Sequence, residues 1–308
     1  MARYARLTTV SWGPKAEDGD PIENNVRQAC EQVDTAAQEG SDLVCLAELF
    51  AHRNMDRPEA IDRAEPLPNA ITEQMGKAAA RNDTYVIAGL LEREGDDVYN
   101  SAVLIDREGE IVGQYRKNFP TPEEIESGTT PGTEAPVYET DFGRVGMAIC
   151  WDLHFPELAV RMAEKDVQLI CWPSMYQGGL QLRLWAYLAD AYVMSAWPGH
   201  ICEIIDMNGY RLAGTNYGYS IASADVNFDR DVFLRCTARQ GTWHKIREKY
   251  GDRLTMELMH AQGTFSLASE SDEISVEEIA EEFDLDRRVP YYQHCRDVRE
   301  KKLRASGK

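Results

Sequence analysis

The chain of 308 residues carries 52 acidic against 33 basic side chains, and the resulting charge of −19 repels nucleic acid and anionic membrane surfaces alike. The charge argues against those two partner classes, and small neutral or cationic molecules remain as ligands. With 43% hydrophobic and 28% charged residues and no Gly/Ser- or Pro-rich linker, the composition is that of a globular protein with a sizeable core.

The opening stretch MARYARLTTVSW lacks the apolar core of a secretory signal, and no later segment approaches the ~20 apolar residues that span a bilayer. The expectation is a cytoplasmic protein. From Ile22 to Glu39, apolar residues at Ile22, Val26, Cys30, Val33 and Ala37 keep helical spacing, with Gly40 placed for a left-handed cap. The strand-like DLVCLAE follows. A second helix is expected over Asn69 to Arg81, then a buried strand in TYVIAGLLE, then strands at Tyr99 to Ile105 and Ile111 to Tyr115 joined by the turn DREGE.

The polar stretch KNFPTPEEIESGTTPGTEAP reads as a long functional loop. VYET and RVGMAIC flank the turn DFG. A helix from Pro156 to about Lys165, the strand VQLICWPS, a helix over Leu180 to Ala189 and the strand AYVMSAW come next. CEIIDMNGYRLAGT reads as a hairpin turning at Asn208-Gly209, and SIASADVNF as one more strand. The order of elements suggests an α-β-α-β-β pseudo-repeat. Beyond residue 230 the chain turns charged and helical; Ser275 caps the helix SVEEIAEEF, and the final YYQHCRDVREKKLRASGK reads as a polar tail. The division expected is one α/β domain over 1–265 and a helical extension over 266–308 that packs on the domain or on a partner subunit.

Three apolar strands end in chemistry: LVCLAELF at Glu48, GQYRKNFP at Lys117 and VGMAICWD at Cys150. Alone, each has an ordinary reading as a solvated acid, a surface lysine or a buried thiol. Together they suit nucleophilic catalysis, because the C-terminal edge of a sheet is where open α/β folds bind ligands. A thiol needs a base, and an ammonium can stabilise both the thiolate and the oxyanion its attack creates. The seven cysteines (Cys30, Cys45, Cys150, Cys171, Cys202, Cys236 and Cys295) form no CxxC pair, and the histidines show no ligand spacing, so neither a disulfide framework nor a metal site is expected.

These stretches, with PGTEAPVYETDFGRVGMAICWDLHFPE and CEIIDMNGYRLAG, resemble the carbon-nitrogen hydrolase (nitrilase) superfamily over about residues 4 to 230. The resemblance implies a four-layer α-β-β-α sandwich and hydrolysis of a non-peptide C-N bond through a cysteine thioester, with no metal or organic cofactor. It makes Glu48 the general base, Lys117 the oxyanion-stabilising cation, Cys150 the nucleophile and the Trp151 backbone N–H an oxyanion donor. A second glutamate belongs in the loop after the lysine; spacing favours Glu124 over Glu123 and Glu126. The Cys-Trp-Asp sequence looks more like the amidase and N-carbamoyl-amine branches than the nitrile-hydrolysing one. A nitrilase and a catalytically silent interaction scaffold are the alternatives. Trp172 and Tyr176 are expected to line the substrate pocket, and His154 either joins them or bonds backbone. The family also implies a homodimer or higher homo-oligomer contacting through the helices at Pro156 to Lys165 and Leu180 to Ala189, together with the C-terminal extension.

Overall fold

The computed structural model describes residues 2–237, 241–259 and 261–307. The chain divides into two compact units, Ala5–Val226 and Asn227–Lys308 with Met1–Tyr4.

In the first unit, β1 (Tyr4–Val10), α1 (Pro21–Ala37), β2 (Leu43–Cys45), α2 (Arg57–Asp62), α3 (Ala70–Arg81), β3 (Tyr85–Glu94), β4 (Asp97–Ile105) and β5 (Ile111–Arg116) come first. After α4 (Pro122–Glu126) follow β6 (Val137–Glu139), β7 (Arg144–Met147), α5 (Glu157–Ala163), β8 (Leu169–Pro173), α6 (Leu180–Ala189), β9 (Tyr192–Ala196), β10 (Glu203–Ile205), β11 (Arg211–Gly214) and β12 (Ile221–Asn227). The strands form two six-stranded sheets, in the orders β12-β1-β2-β3-β4-β5 and β11-β10-β9-β8-β7-β6.

The expected pseudo-repeat is visible in the pairing. In the first sheet β1, β2 and β3 run parallel through α1 and α3, and β3, β4 and β5 then fold back antiparallel. The second sheet repeats this with β7, β8 and β9 parallel through α5 and α6, followed by antiparallel β10 and β11.

Alternation along the strands builds the layers. Val44 and Leu46, Val86, Ala88 and Leu90, and Val103 and Ile105 pack with Val26, Ala29, Val33, Ile71, Met75 and Ala78 from α1 and α3. The intervening Leu43, Cys45, Ile87 and Leu104 are fully buried from the other face, where β2 and β3 contact β8 and β9 of the second sheet. Helices α5 and α6 contact one another, and α6 packs on β9. The arrangement is the expected four-layer α-β-β-α sandwich. Helix starts follow their caps: Asp20 accepts from Ile22 N and Glu23 N at the head of α1, and Asn69 forms a capping box with Thr72 on α3.

The second unit differs from the helical reading of the sequence. Strands β13 (Arg230–Leu234), β14 (Leu254–Met259) and β15 (Thr264–Ser269) form an antiparallel sheet in the order β13-β15-β14, with α7 (Thr242–Tyr250) between the first two. Phe233, Phe265 and Leu267 pack there with Ile246, Tyr250, Val276 and Ile279. Short strands carrying Asp231 and Glu257 on their outer positions hid this sheet among charges. The division drawn from sequence at 265/266 falls inside β15, whereas the compact units meet at 226/227. The helix α8 (Val276–Phe283) starts at Ser275 as expected, and the polar tail is helical over α9 (Arg288–Ala305).

Candidate active site

Glu48, Lys117 and Cys150 stand just past the ends of β2, β5 and β7, and all three are buried, at 2%, 1% and 8% exposure. Two of the turns carry a left-handed residue: Leu49, immediately after Glu48, has φ +49°, and Cys150 itself has φ +47°. For a side chain with a Cβ this costs on the order of 1–2 kcal/mol, so neighbouring contacts must hold it. At Cys150 they do. Trp172 Nε1 donates to the Cys150 carbonyl at 3.0 Å, and Asp152 Oδ2 accepts from Ile149 N at 2.9 Å. Beneath Glu48, Gly89 of β3 leaves room for the turn, since a Cβ there would meet Leu49 N at 2.8 Å.

Lys117 is locked by backbone on both sides. Its amide donates to the Asn100 carbonyl at 2.9 Å, and its carbonyl accepts from Gly132 N at 2.8 Å. Gly132 is required at that approach, because a Cβ would stand 2.3 Å from the Arg116 carbonyl oxygen. The Lys117 Nζ donates to Glu48 Oε1 at 2.9 Å and to Glu124 Oε2 at 2.9 Å and Oε1 at 3.1 Å. Burial works against its charge, yet the carboxylates of Glu48 and Glu124 outweigh it and hold the ammonium above its ordinary range.

Glu124 is thus the second glutamate at the lysine, and neither Glu123 nor Glu126 is buried with it. What looked like loop is α4, a five-residue helix opened by a Thr121–Glu124 capping box. Glu124 Oε2 accepts from Thr121 N at 2.7 Å, so one carboxylate both caps the helix and binds the lysine. Burial pushes its pKa up, but Lys117 and the donors from Thr121 and Asn100 leave it lowered on balance. The sequence TPEE carries this signal as a T-x-x-E pattern, which singles out Glu124. Arg57, at the start of α2, reaches Glu124 Oε1 at 3.3 Å.

The Cys150 thiol is pushed up to about 12, first by burial and then by the charge of Glu48, while Lys117 and the Met175 amide pull it down. The sulfur therefore rests protonated, and only a base beside it could take its proton. Glu48 Oε2 is buried and accepts no hydrogen bond, so it has room to take a proton.

Asp152, fully buried, ties the Cys150 turn to the lysine strand. Its Oδ2 accepts from Tyr115 Oη at 2.7 Å as well as from Ile149 N, and its Oδ1 accepts from Phe119 N at 2.8 Å. Burial raises its pKa to about 6 against the pull of these donors. The folded pKa exceeds the unfolded one, so proton uptake below pH 6 stabilises this group in the fold while converting an acceptor into a donor. We expect kcat/KM to fall as pH drops through about 6 with no loss of folded signal by circular dichroism. In Asp152→Asn, donors left without acceptors should lower kcat roughly 10-fold or more at every pH.

Of the expected pocket residues, Trp172 is fully buried and serves the Cys150 backbone, so it offers no face to a substrate. His154 is exposed and bonds side chain rather than backbone: its Nδ1 lies 2.8 Å from Gln181 Nε2. Its ring stacks 5.7 Å from Tyr176 and lies tilted, 4.2 Å from Trp151. Half-buried Tyr176 has its phenol pushed up, by burial first and then by Cys150.

Residues 7–230 match the carbon-nitrogen hydrolase family. Over 234 residues the chain is 28% identical to the omega-amidase NIT2 of Xenopus tropicalis, covering 67% of this chain and 83% of that protein. It is 30% identical, also over 234 residues, to the deaminated glutathione amidase of Mus musculus, covering 71% of each. Among solved structures, Saccharomyces cerevisiae Nit3, a member of branch 10 of the nitrilase superfamily, shares the fold with a TM-score of 0.66 at 18% identity, over 81% of this chain and 95% of that one. An amidase from Nesterenkonia sp. aligns with a TM-score of 0.63 at 18% identity, over 79% of this chain and 96% of that one. With the match running from within β1 past the end of β12, over more than half of its residues, the chain belongs to the carbon-nitrogen hydrolase family.

Proposed function

We propose that this enzyme hydrolyses the terminal amide of a small compound bearing a carboxylate at its far end, through a thioester on Cys150. The observation that carries the chemistry is the buried Lys117 ammonium held between Glu48 and Glu124, with the Cys150 thiol against the same charges. The Cys150 sulfur attacks the carbonyl carbon as its proton passes to Glu48. The oxyanion is held by Lys117 and the Trp151 N–H. As the tetrahedral adduct collapses, Glu48 returns the proton to the leaving nitrogen and ammonia departs. Water, deprotonated by Glu48, then attacks the thioester and frees the acid.

For the far end of the substrate, the support is Arg53. Its guanidinium forms no ion pair among the described residues, and its Nη1 lies 3.1 Å from the sulfur of Met175, whose amide points at the Cys150 thiol. A cation left without an acid in a chain of charge −19 is suited to a substrate carboxylate. The names of the omega-amidase and deaminated glutathione amidase relatives agree with an amide substrate. The test is ammonia release from monoamides of dicarboxylic acids, matched neutral amides, N-carbamoyl compounds and nitriles. The monoamides should lead in kcat/KM by about 10-fold or more, and Arg53→Ala should erase the lead. Equal rates on neutral amides, or faster turnover of nitriles, would overturn the substrate reading.

We also propose a homo-oligomer that contacts through α5 and α6, supported by Leu180 and Leu184 standing 80% and 46% exposed on α6. A cytoplasmic location is supported by seven cysteines that are all free thiols, and no described helix is long and apolar enough to cross a membrane.

A further inference from the structure

The two oxygens of Glu48 are not equivalent. Oε1 accepts from Asn100 Nδ2 at 2.8 Å and from Lys117 Nζ at 2.9 Å, whereas Oε2 accepts nothing. Asn100 lies in β4 and is 1% exposed. The same Nδ2 reaches Glu124 Oε1 at 3.1 Å, and the Asn100 carbonyl accepts the Lys117 amide at 2.9 Å. One residue therefore touches both carboxylates through its side chain and sets the lysine through its backbone.

The orientation of the Asn100 amide follows from its partners. Carboxylate oxygens can only accept, so the NH2 group must face them and Oδ1 must turn away. There Oδ1 is buried without a donor. A residue kept only for packing would carry no such orphan, since leucine fills a similar volume without one. The neutral N–H also anchors Glu48 without adding a second cation, which would make the carboxylate a weaker base.

We infer that Asn100 is a positioning residue that gives the two oxygens of Glu48 separate tasks, holding Oε1 and leaving Oε2 as the base for the Cys150 proton. This rests on the reading of Glu48 as the base. Without Asn100, only Lys117 holds Oε1, and the Glu48 carboxyl is free to turn about its last bond, out of the plane that points its second oxygen away from these donors.

The test uses Asn100→Leu, the isosteric Asn100→Asp and Glu48→Gln in the full chain. Iodoacetamide labelling of Cys150 is followed by peptide mass mapping against pH, with exposed Cys236 as internal reference, alongside kcat and KM on an amide substrate. In Asn100→Leu, labelling of Cys150 and kcat should fall roughly 10- to 100-fold, with KM changed less than about threefold. Because a carboxylate that loses a donor holds its proton more tightly, the acid limb of the Cys150 labelling profile should move up by about half to one pH unit, whereas the fall of kcat/KM near pH 6 that belongs to Asp152 should stay in place. Asn100→Asp, which sets a third carboxylate at the lysine, should move the limb further in the same direction. Labelling of Cys236 should not change. An unshifted limb in both Asn100 variants, with Glu48→Gln strongly impaired, would overturn the inference alone. Unimpaired Cys150 labelling in Glu48→Gln would instead overturn the base assignment beneath it.

Discussion

Replacing Lys117 with methionine should cost both stability and activity, and the stability loss should depend on pH. The ammonium is 1% exposed and donates to Glu48 and Glu124 at 2.9 Å each, so its removal leaves two carboxylates facing one another out of water. Deleting one partner of a buried ion pair typically costs about 3–5 kcal/mol, because the remaining charge is uncompensated. The variant escapes part of that cost by keeping one carboxyl protonated, which raises its folded pKa above the unfolded value. A group shifted in that direction weakens the fold as pH rises and restores it as pH falls. The Tm of Lys117→Met should therefore lie roughly 10 °C below that of the wild type near pH 8, and the gap should narrow toward pH 5. Thermal scans across that range check it; a gap independent of pH would contradict the paired-charge account. Activity should fall by roughly 1000-fold or more, since the charge that meets the oxyanion is gone. Lys117→Arg should recover part of the stability but not the activity, because a planar guanidinium cannot take the position of the compact ammonium between the two carboxylates.

The second large effect is at the nucleophile. Cys150→Ala should reduce ammonia release to background, a loss of roughly 10,000-fold or more, because no other group in the site can form the acyl intermediate. Stability should scarcely change. The left-handed turn is held through the Cys150 carbonyl by Trp172 and through the neighbouring Ile149 amide by Asp152, and both contacts survive the substitution. Cys150→Ser should be nearly as inactive: a hydroxyl is a poorer nucleophile, and Glu48 is placed for a sulfur. Melting temperatures within a few degrees of wild type, with activity abolished, would separate a catalytic from a structural role.

Much of this site could be read from sequence because its three principal groups sit at strand ends. An apolar run interrupted by an acid, a lysine or a thiol is conspicuous at Glu48, Lys117 and Cys150. The central strands were equally legible from their alternation and the helices from their caps, as at Asn69 and Ser275. What escaped were features defined by partners distant in the chain. Asn100 reads as one polar residue in a buried strand, and only its closeness to Glu48, 52 residues earlier, gives it meaning. Asp152 likewise finds Tyr115 and Phe119 only once β5 and β7 are folded. Trp172 reads as a pocket residue by its aromatic character, whereas its indole N–H donates to the Cys150 carbonyl. In the second unit the strands are short and carry acids, so their alternation was too brief to stand out against the surrounding charge.

The account centres on Cys150 as the atom that carries the acyl group, and intact-mass spectrometry of protein quenched within milliseconds of mixing with a dicarboxylic monoamide tests it most directly. The account predicts a mass increase equal to the acyl fragment, mapping to the peptide that contains Cys150, with ammonia released at the same rate and both signals absent in Cys150→Ala. Ammonia release that persists in Cys150→Ala, or an acyl adduct on any other residue, would contradict it.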